Sequence, residues 1–450
     1  MRRRFMALAL AAAFPAAYAQ TAVTNGIELY GIVDIGVENV DVGNESVTRI
    51  SSGISTGSRW GLRGREDLGG GYAAIFTLES RIEADTGDTQ VNGGLYFCGA
   101  PAICPNVRLV SPLPPTVAPA VLGGMNAVNA ALLNATNTVN PPRALFDRQA
   151  YVGLITPFGA VLGGRMYTPG YEVAIKYNAF ADSFAGSPGQ VATINIRANN
   201  AIQYRAELKG FVLAAMYGFG GSEANRNERS TPPTQGDDFW GIEFQYNTAN
   251  WGVGAGYQVN RTVTYSQPTV NNKGLETVTV GGSVALGPTR LYGFYHGAKN
   301  DNPVLSPADI QNIVISTGGN LAAITNILGG LYINRFDINN VRGVAGPTDQ
   351  DLYNIGIQWP VGPHQFMASY TYNKDSSRSP WATQDATVQT FGLGYMYNLS
   401  RRTALYAAYA YANNDDQARI ALGGAGYVGG WTTGLGTSAQ SIQMGMRHAF

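Results

Sequence analysis

Apolar side chains recur at every second position through a long series of short segments. Ala74, Phe76 and Leu78 interleave with Thr77, Glu79 and Arg81; Trp240, Ile242, Phe244 and Tyr246 interleave with Gly241, Glu243 and Gln245; Phe366, Ala368, Tyr370 and Tyr372 repeat the pattern. A period of two marks a strand whose faces meet different surroundings. Sixteen such segments begin near residues 27, 58, 72, 147, 160, 200, 211, 238, 251, 276, 289, 351, 364, 386, 403 and 441. An even number brings both ends of an up-and-down barrel to one rim.

The connections alternate strictly between short and long. Short ones such as Thr156-Pro157-Phe158-Gly159, Asn247-Thr248-Ala249-Asn250 and Asn398-Leu399-Ser400-Arg401 are turn chemistry; long ones run 38–57, 83–146, 166–199, 220–237, 260–275, 298–350, 374–385 and 413–440. Outer-membrane barrels have this asymmetry, with brief periplasmic turns and long outward loops. A soluble β-sandwich also gives short alternating strands, but not one trimmed rim and one elaborated rim. Aromatic residues at the ends of apolar faces (Tyr257, Trp359, Tyr372, Tyr397, Tyr411, Phe450) match interfacial girdles. The predicted fold is therefore all-β: a transmembrane, antiparallel, up-and-down barrel of sixteen strands. Within 298–350, Ser306-Pro307 followed by Asp309 predicts a local helix toward Leu331, and Gly318-Gly319-Asn320 interrupts it before it reaches membrane-spanning length.

The chain's beginning adds a compartment. Arg2-Arg3-Arg4, an apolar run from Phe5 to about Ala17, and Ala17-Tyr18-Ala19 predict a signal peptide over 1–19, leaving 20–450 as the barrel domain. The run is too short to span a bilayer as an anchor. Without the leader the chain carries 27 basic and 30 acidic side chains, so nothing suggests nucleic acid. Only five of those cations are lysine, a bias toward guanidinium groups that pair and stack in confined space. Cys98 and Cys104, in a Gly/Pro-rich stretch of an exported chain, predict a small disulfide loop; none of the three histidines lies near them in sequence, so no metal site is expected, nor any cofactor.

Several stretches resemble the Gram-negative general porins of β-proteobacteria. They are Ile27 to Asp34 (IELYGIVD), Gly57 to Gly64 (GSRWGLRG), Glu66 to Gly71 (EDLGGG), Asp147 to Leu154 (DRQAYVGL), Gly164 to Pro169 (GRMYTP), Asn199 to Tyr204 (NNAIQY) and the terminal Gly445 to Phe450 (GMRHAF). The resemblance spans the chain and rests on the order and combination of motifs. It implies a homotrimer of sixteen-stranded barrels in outer-membrane lipid, each with its own water-filled pore narrowed by an inward-folded third long loop whose acids face basic residues on the wall. It also implies that a terminal aromatic such as Phe450 is part of the signal read by the barrel-assembly machinery. Two long loops, 83–146 and 298–350, depart from the family in length.

Alternation places Arg59, Arg63, Arg81 and Arg205 opposite the apolar face. A lipid-facing arginine at the midplane would cost roughly 2–4 kcal/mol, so these belong inside. The third long loop, entered through Arg165, carries Glu172 and Asp182. Arg59, Arg63, Arg81, Arg165 and Arg205 are thus the candidate basic wall of a constriction and Glu172 and Asp182 its acidic loop; Glu79, Arg148 and Arg197 are further candidates, the two arginines lying at strand ends. The expected function is an outer-membrane diffusion channel for ions and small hydrophilic solutes with a weak anion preference, since arginines outnumber carboxylates on the inner wall. The alternative is an adhesin or ligand-binding barrel using loops 83–146 and 298–350.

An enzyme is not expected. Gly53-Ile54-Ser55-Thr56-Gly57 has the letters of a nucleophile elbow, but a strand follows it rather than a helix. Gly424 to Gly429 spells the dinucleotide fingerprint, again with no helix behind it. His296 heads for the long-loop rim without a convincing Ser or Asp partner.

Overall fold

The computed structural model describes residues 25–43, 46–87, 145–180, 184–219, 238–264, 267–301, 348–378, 383–418, 420–423, 432 and 435–450, with the backbone alone for 262–264 and 267–272. The expected leader, Cys98, Cys104, Asp182, the helix in 306–331 and the 424–429 fingerprint lie outside them.

Among the described residues seventeen strands form one antiparallel sheet: β1 (Gly26–Asp41), β2 (Ser46–Ser52), β3 (Arg59–Gly69), β4 (Tyr72–Arg81), β5 (Gln149–Thr156), β6 (Gly159–Tyr167), β7 (Arg197–Leu208), β8 (Phe211–Gly218), β9 (Phe239–Asn247), β10 (Trp251–Thr264), β11 (Gln267–Leu286), β12 (Thr289–Asn300), β13 (Thr348–Val361), β14 (His364–Asp375), β15 (Ala386–Asn398), β16 (Thr403–Asn414) and β17 (Ala439–Ala449). The sheet closes where β17 pairs with β1, with Ile32 opposite Ala449 and Asp34 opposite Arg447. The first half of β1 pairs with β3 and the second half with β2, so β2 and β3 share one wall position, interrupted at 53–58. The wall is therefore a closed barrel of sixteen strands, as predicted.

Two predicted long connections contain more strand than the alternation suggested. β2 falls inside 38–57, and the hairpin of β10 and β11 continues through 260–275. Both lie toward the long-loop rim, where water wets the two faces of a strand and no apolar period marks it. Nearer the membrane the alternation is plain: Ile27, Leu29, Val152, Ile355, Leu393 and Met444 are exposed on the outer face, while Asp34, Glu38, Gln245, Thr371 and Gln443 are buried on the inner one. That inversion is what lipid outside and a polar interior require.

The third long loop folds into the barrel. It opens with helix α1 (Pro169–Lys176), whose proline at the first position, Glu172 in the first turn and Lys176 in the last suit a helix start and its dipole. Phe180, Phe184, Val173 and Val191 are buried inside the barrel, Phe184 edge-on to Tyr406 at 5.4 Å. Each such side chain contributes roughly 1.5–3 kcal/mol of burial, so the loop is packed against the wall rather than hung in the lumen. Polar wall side chains fasten its backbone: the Gly170 N–H donates to Gln258 (2.9 Å), Gln358 donates to the Ala179 carbonyl (2.6 Å), the Ala185 N–H donates to Gln443 (3.1 Å), and Gln350 bonds both Thr193 N–H (2.8 Å) and the Val191 carbonyl (3.0 Å). Gly186 comes so near Gly392 that a Cβ on Gly392 would sit 2.7 Å from the Gly186 Cα, a backbone approach that only glycine permits.

Opposite the loop, residues 53–58 tuck inward. The Asp34 carboxylate accepts from the Ser55 N–H (3.1 Å), the Thr56 N–H (3.0 Å), the Ser55 hydroxyl and the Tyr406 hydroxyl (2.6 Å). Ile54, at the tip, is buried with Phe180, Phe184, Met367 and Met396. The G-x-S-x-G letters thus serve a structural turn, with Ser55 bonded to a carboxylate and no imidazole.

Candidate functional site

The arginines assigned to the inner wall divide into groups according to the carboxylates they meet. On β3, Arg63 pairs with Glu28 (2.6 Å) and lies over the Tyr30 ring at 5.2 Å. Arg81, at the end of β4, meets Asp147 at 3.3 Å and Glu83 at 3.6 Å. Arg165 sits where the pairing of β6 with β7 shifts register, its Nε donating to the Asp147 carbonyl (2.7 Å) and its Nη1 to Asn199.

Arg205 on β7 gathers three carboxylates. Its Nη1 contacts Glu172 of α1 at 2.5 Å and Glu243 of β9 at 2.8 Å, and its Nε contacts Glu207 at 2.7 Å. Glu172 therefore touches the basic wall directly instead of facing it across water, and the contact pins the foot of the third long loop. Lys176, one turn on, is held below the ordinary lysine range by burial; Glu207 pulls the other way, and Arg205 and Arg290 push it down further.

Around Glu79 on β4 the balance is reversed. Its Oε1 accepts from Arg148 Nε (2.7 Å) and its Oε2 from the Tyr30 hydroxyl (3.1 Å), while the Arg59 and Arg197 charges also act on it. Tyr167 ties the group together: its hydroxyl accepts from Arg148 Nη2 (3.0 Å), and the Arg197 guanidinium lies 4.9 Å from its ring centroid. Arg59, Arg148 and Arg197 are 2%, 4% and 3% exposed. The Nε and Nη1 of Arg197 are buried without a hydrogen-bond partner among the described residues. Three guanidinium charges thus converge on Glu79, with Asp147 acting on Arg148 as well.

Glu243, Glu207, Glu28, Asp147, Tyr30 and Tyr167 were not among the sequence candidates. Alternation does put Glu243 on the polar face of its strand, and that was the available signal. Asp147 and Tyr167 stand at strand ends, where alternation stops assigning a face.

The model for the family described as Gram-negative porin matches residues 7–417. The chain belongs to the Gram-negative porin family. The porin is 26% identical to outer membrane porin protein 32 of Delftia acidovorans over the whole length of both chains. Among solved structures it resembles the anion-selective porin from Comamonas acidovorans (22% identity, TM-score 0.59, covering 94% of this chain and 99% of that one). It also resembles the in-vitro-folded trimer form of OmpT, an outer membrane protein of Vibrio cholerae (16% identity, TM-score 0.55, covering 94% and 99%). The porin is an outer-membrane β-barrel channel, and its family points to passage of solutes rather than catalysis.

Proposed function

We propose that the porin passes ions and small hydrophilic solutes with a weak preference for anions, that it carries out no catalysis, and that the Glu79 cluster sets the preference. The observation that carries this reading is the concentration of positive charge there: Arg59, Arg148 and Arg197 all act on Glu79, and the further carboxylate acting on Arg148, Asp147, is already paired with Arg81, whereas Arg63 and Arg205 meet Glu28 and three glutamates respectively. Fixed charge beside confined water raises the local concentration of the opposite ion. The name of the Comamonas structure supports the same direction. Reversal potentials in a KCl gradient test it: the wild type reverses on the anion side, and Arg197→Gln, which removes one surplus charge, moves the potential toward the cation side. A cation-selective wild type overturns the reading.

The same reading covers the assembly. The porin works as a homotrimer in outer-membrane lipid, after loss of a leader at 1–19, and Phe450 contributes to the signal recognised by the barrel-assembly machinery. Support for the trimer comes from OmpT of Vibrio cholerae, which was solved in a trimer form; support for the Phe450 role comes from its place at the seam, where its N–H and carbonyl pair with Gly31 at 3.0 and 3.1 Å. Conductance steps arriving in threes in a planar bilayer test the trimer.

A further inference from the structure

A cavity of about 820 Å³ lies beneath the third long loop, between its underside and the rim of short turns that follow β9, β11, β13 and β15. Its size falls within the roughly 300–1,000 Å³ of small-molecule sites. Lys176 hangs into it from the last turn of α1, and Arg290 of β12 and Arg447 of β17 reach it from the wall. No described residue lining it is an aspartate or glutamate. The partners of Arg290 are neutral oxygens: the Ser283 hydroxyl at 3.0 Å and the Ala249 carbonyl at 2.9 Å. The acids whose charges act on Lys176, Glu207 and Glu172, are both engaged by Arg205.

Apolar surface lies beside these cations. Tyr171 and Ile175 are one helical turn apart on α1 and so share a face next to Lys176. Tyr292 stands two residues from Arg290 on the inner face of β12, and its hydroxyl donates to Gln358 at 2.9 Å, leaving its ring to the cavity. An inorganic anion or acetate uses only the cations of such a surface. A carboxylate carrying a ring uses both parts.

Resting on the anion preference proposed above, we infer that this vestibule is a binding station for small amphipathic carboxylates, with aromatic acids favoured over acetate. The cations hold the carboxylate, and Tyr171, Ile175 and Tyr292 shield the ring from water. In single-channel recordings in KCl, benzoate or acetate is added at equal concentration to the short-turn side of the intact trimer. Benzoate is expected to interrupt the current with an apparent affinity about tenfold above that of acetate, the gain from covering one face of a ring. Arg290→Gln weakens interruption by both acids, whereas Ile175→Ser removes the advantage of benzoate over acetate. Equal interruption by the two acids, or an advantage that survives Ile175→Ser, overturns the inference. Reversal potential in KCl alone reads the anion preference separately, so failure of that reading and failure of this one give different results.

Discussion

Replacing Arg205 by methionine keeps the volume of its stem but removes the charge on which Glu172, Glu207 and Glu243 converge. Glu172 Oε2 and Glu243 Oε1 both contact Nη1, at 2.5 and 2.8 Å, so those oxygens are no more than about 5.3 Å apart. Were both to stay ionised, two carboxylates at that distance would repel by roughly 3 kcal/mol at an effective dielectric constant near 20, an upper bound because a close pair of buried acids also relieves repulsion by holding a proton. Screening is limited because the Glu243 side chain is 0% exposed and that of Glu172 only 20%. The attraction that pinned α1 is lost and whatever charge the carboxyl pair keeps is repulsive, while the Gln258 bond to Gly170 remains to hold the helix. We expect Arg205→Met channels to show noisier open currents, closure at lower voltage and a reversal potential shifted toward cations. Adding Glu172→Gln removes one repelling charge and should restore a steady current and much of the shift. Bilayer recording suits this test because only folded barrels conduct. Arg205→Met channels with wild-type noise and reversal potential, or no difference between single and double variants, would refute the role of the ion pair.

Three further predictions concern the seam, the inward tuck and a loop root. The Phe450 ring lies where a side chain on Gly31 would stand, so Gly31→Ala should destabilise the closed barrel by about 1–3 kcal/mol of overpacking and lower the thermal unfolding midpoint of purified protein; an unchanged midpoint contradicts this contact. Tyr406→Phe deletes the 2.6 Å bond to Asp34 and should cost about 1–3 kcal/mol by urea unfolding, with no loss counting against Asp34 as the anchor of residues 53–58. Glu83, just past the end of β4, has its carboxyl pushed up to about 7, chiefly by burial, against the pull of Arg81 and with Asp85 and Asp147 adding to the rise. A raised value means that the folded state prefers the protonated form, so stability is full below the ordinary value of 4.5 and is lost as the pH climbs through about 7. The Glu83 carbonyl accepts from Thr86 and Gly87, so protection of those two amides from hydrogen exchange should fall across that interval in the wild type and stay level in Glu83→Gln; equal slopes would remove Glu83 from the explanation.

The barrel was legible because lipid outside and polar groups inside impose a period of two on nearly every wall strand. The predicted starts at 72, 211, 251, 289, 364, 386 and 403 coincide with those of β4, β8, β10, β12, β14, β15 and β16. Legibility ended where the solvent contrast ended. Asn260, Arg261 and Asn271 to Lys273 continue the β10–β11 hairpin beyond the membrane, where polar residues suit both faces and nothing in their order distinguishes strand from loop. Ser46–Ser52 escaped for the same reason, since Ile50 is its only large outward apolar residue.

Charge pairing was the harder problem, because alternation tells which face a residue occupies but not its neighbours around the barrel. Glu79 and Arg148 are 69 residues apart, Arg205 and Glu172 are 33 apart, and Asp34 meets Tyr406 across 372. Strand order and register bring these groups together, and neither is written into any single segment. Counting five inner arginines against a few acids favoured anions, but the count treated every arginine alike. Once each is assigned its partners, Arg63, Arg81 and Arg205 contribute little surplus, Arg205 being shared by three carboxyl groups. The excess falls to Arg59 together with Arg148 and Arg197, two residues whose faces could not be assigned because they sit where strands begin. On the proposed reading, selectivity in this barrel depends on how Glu79, Glu172 and Glu243 are shared out among the arginines. Moving one carboxylate between groups should change ion preference as much as deleting an arginine does.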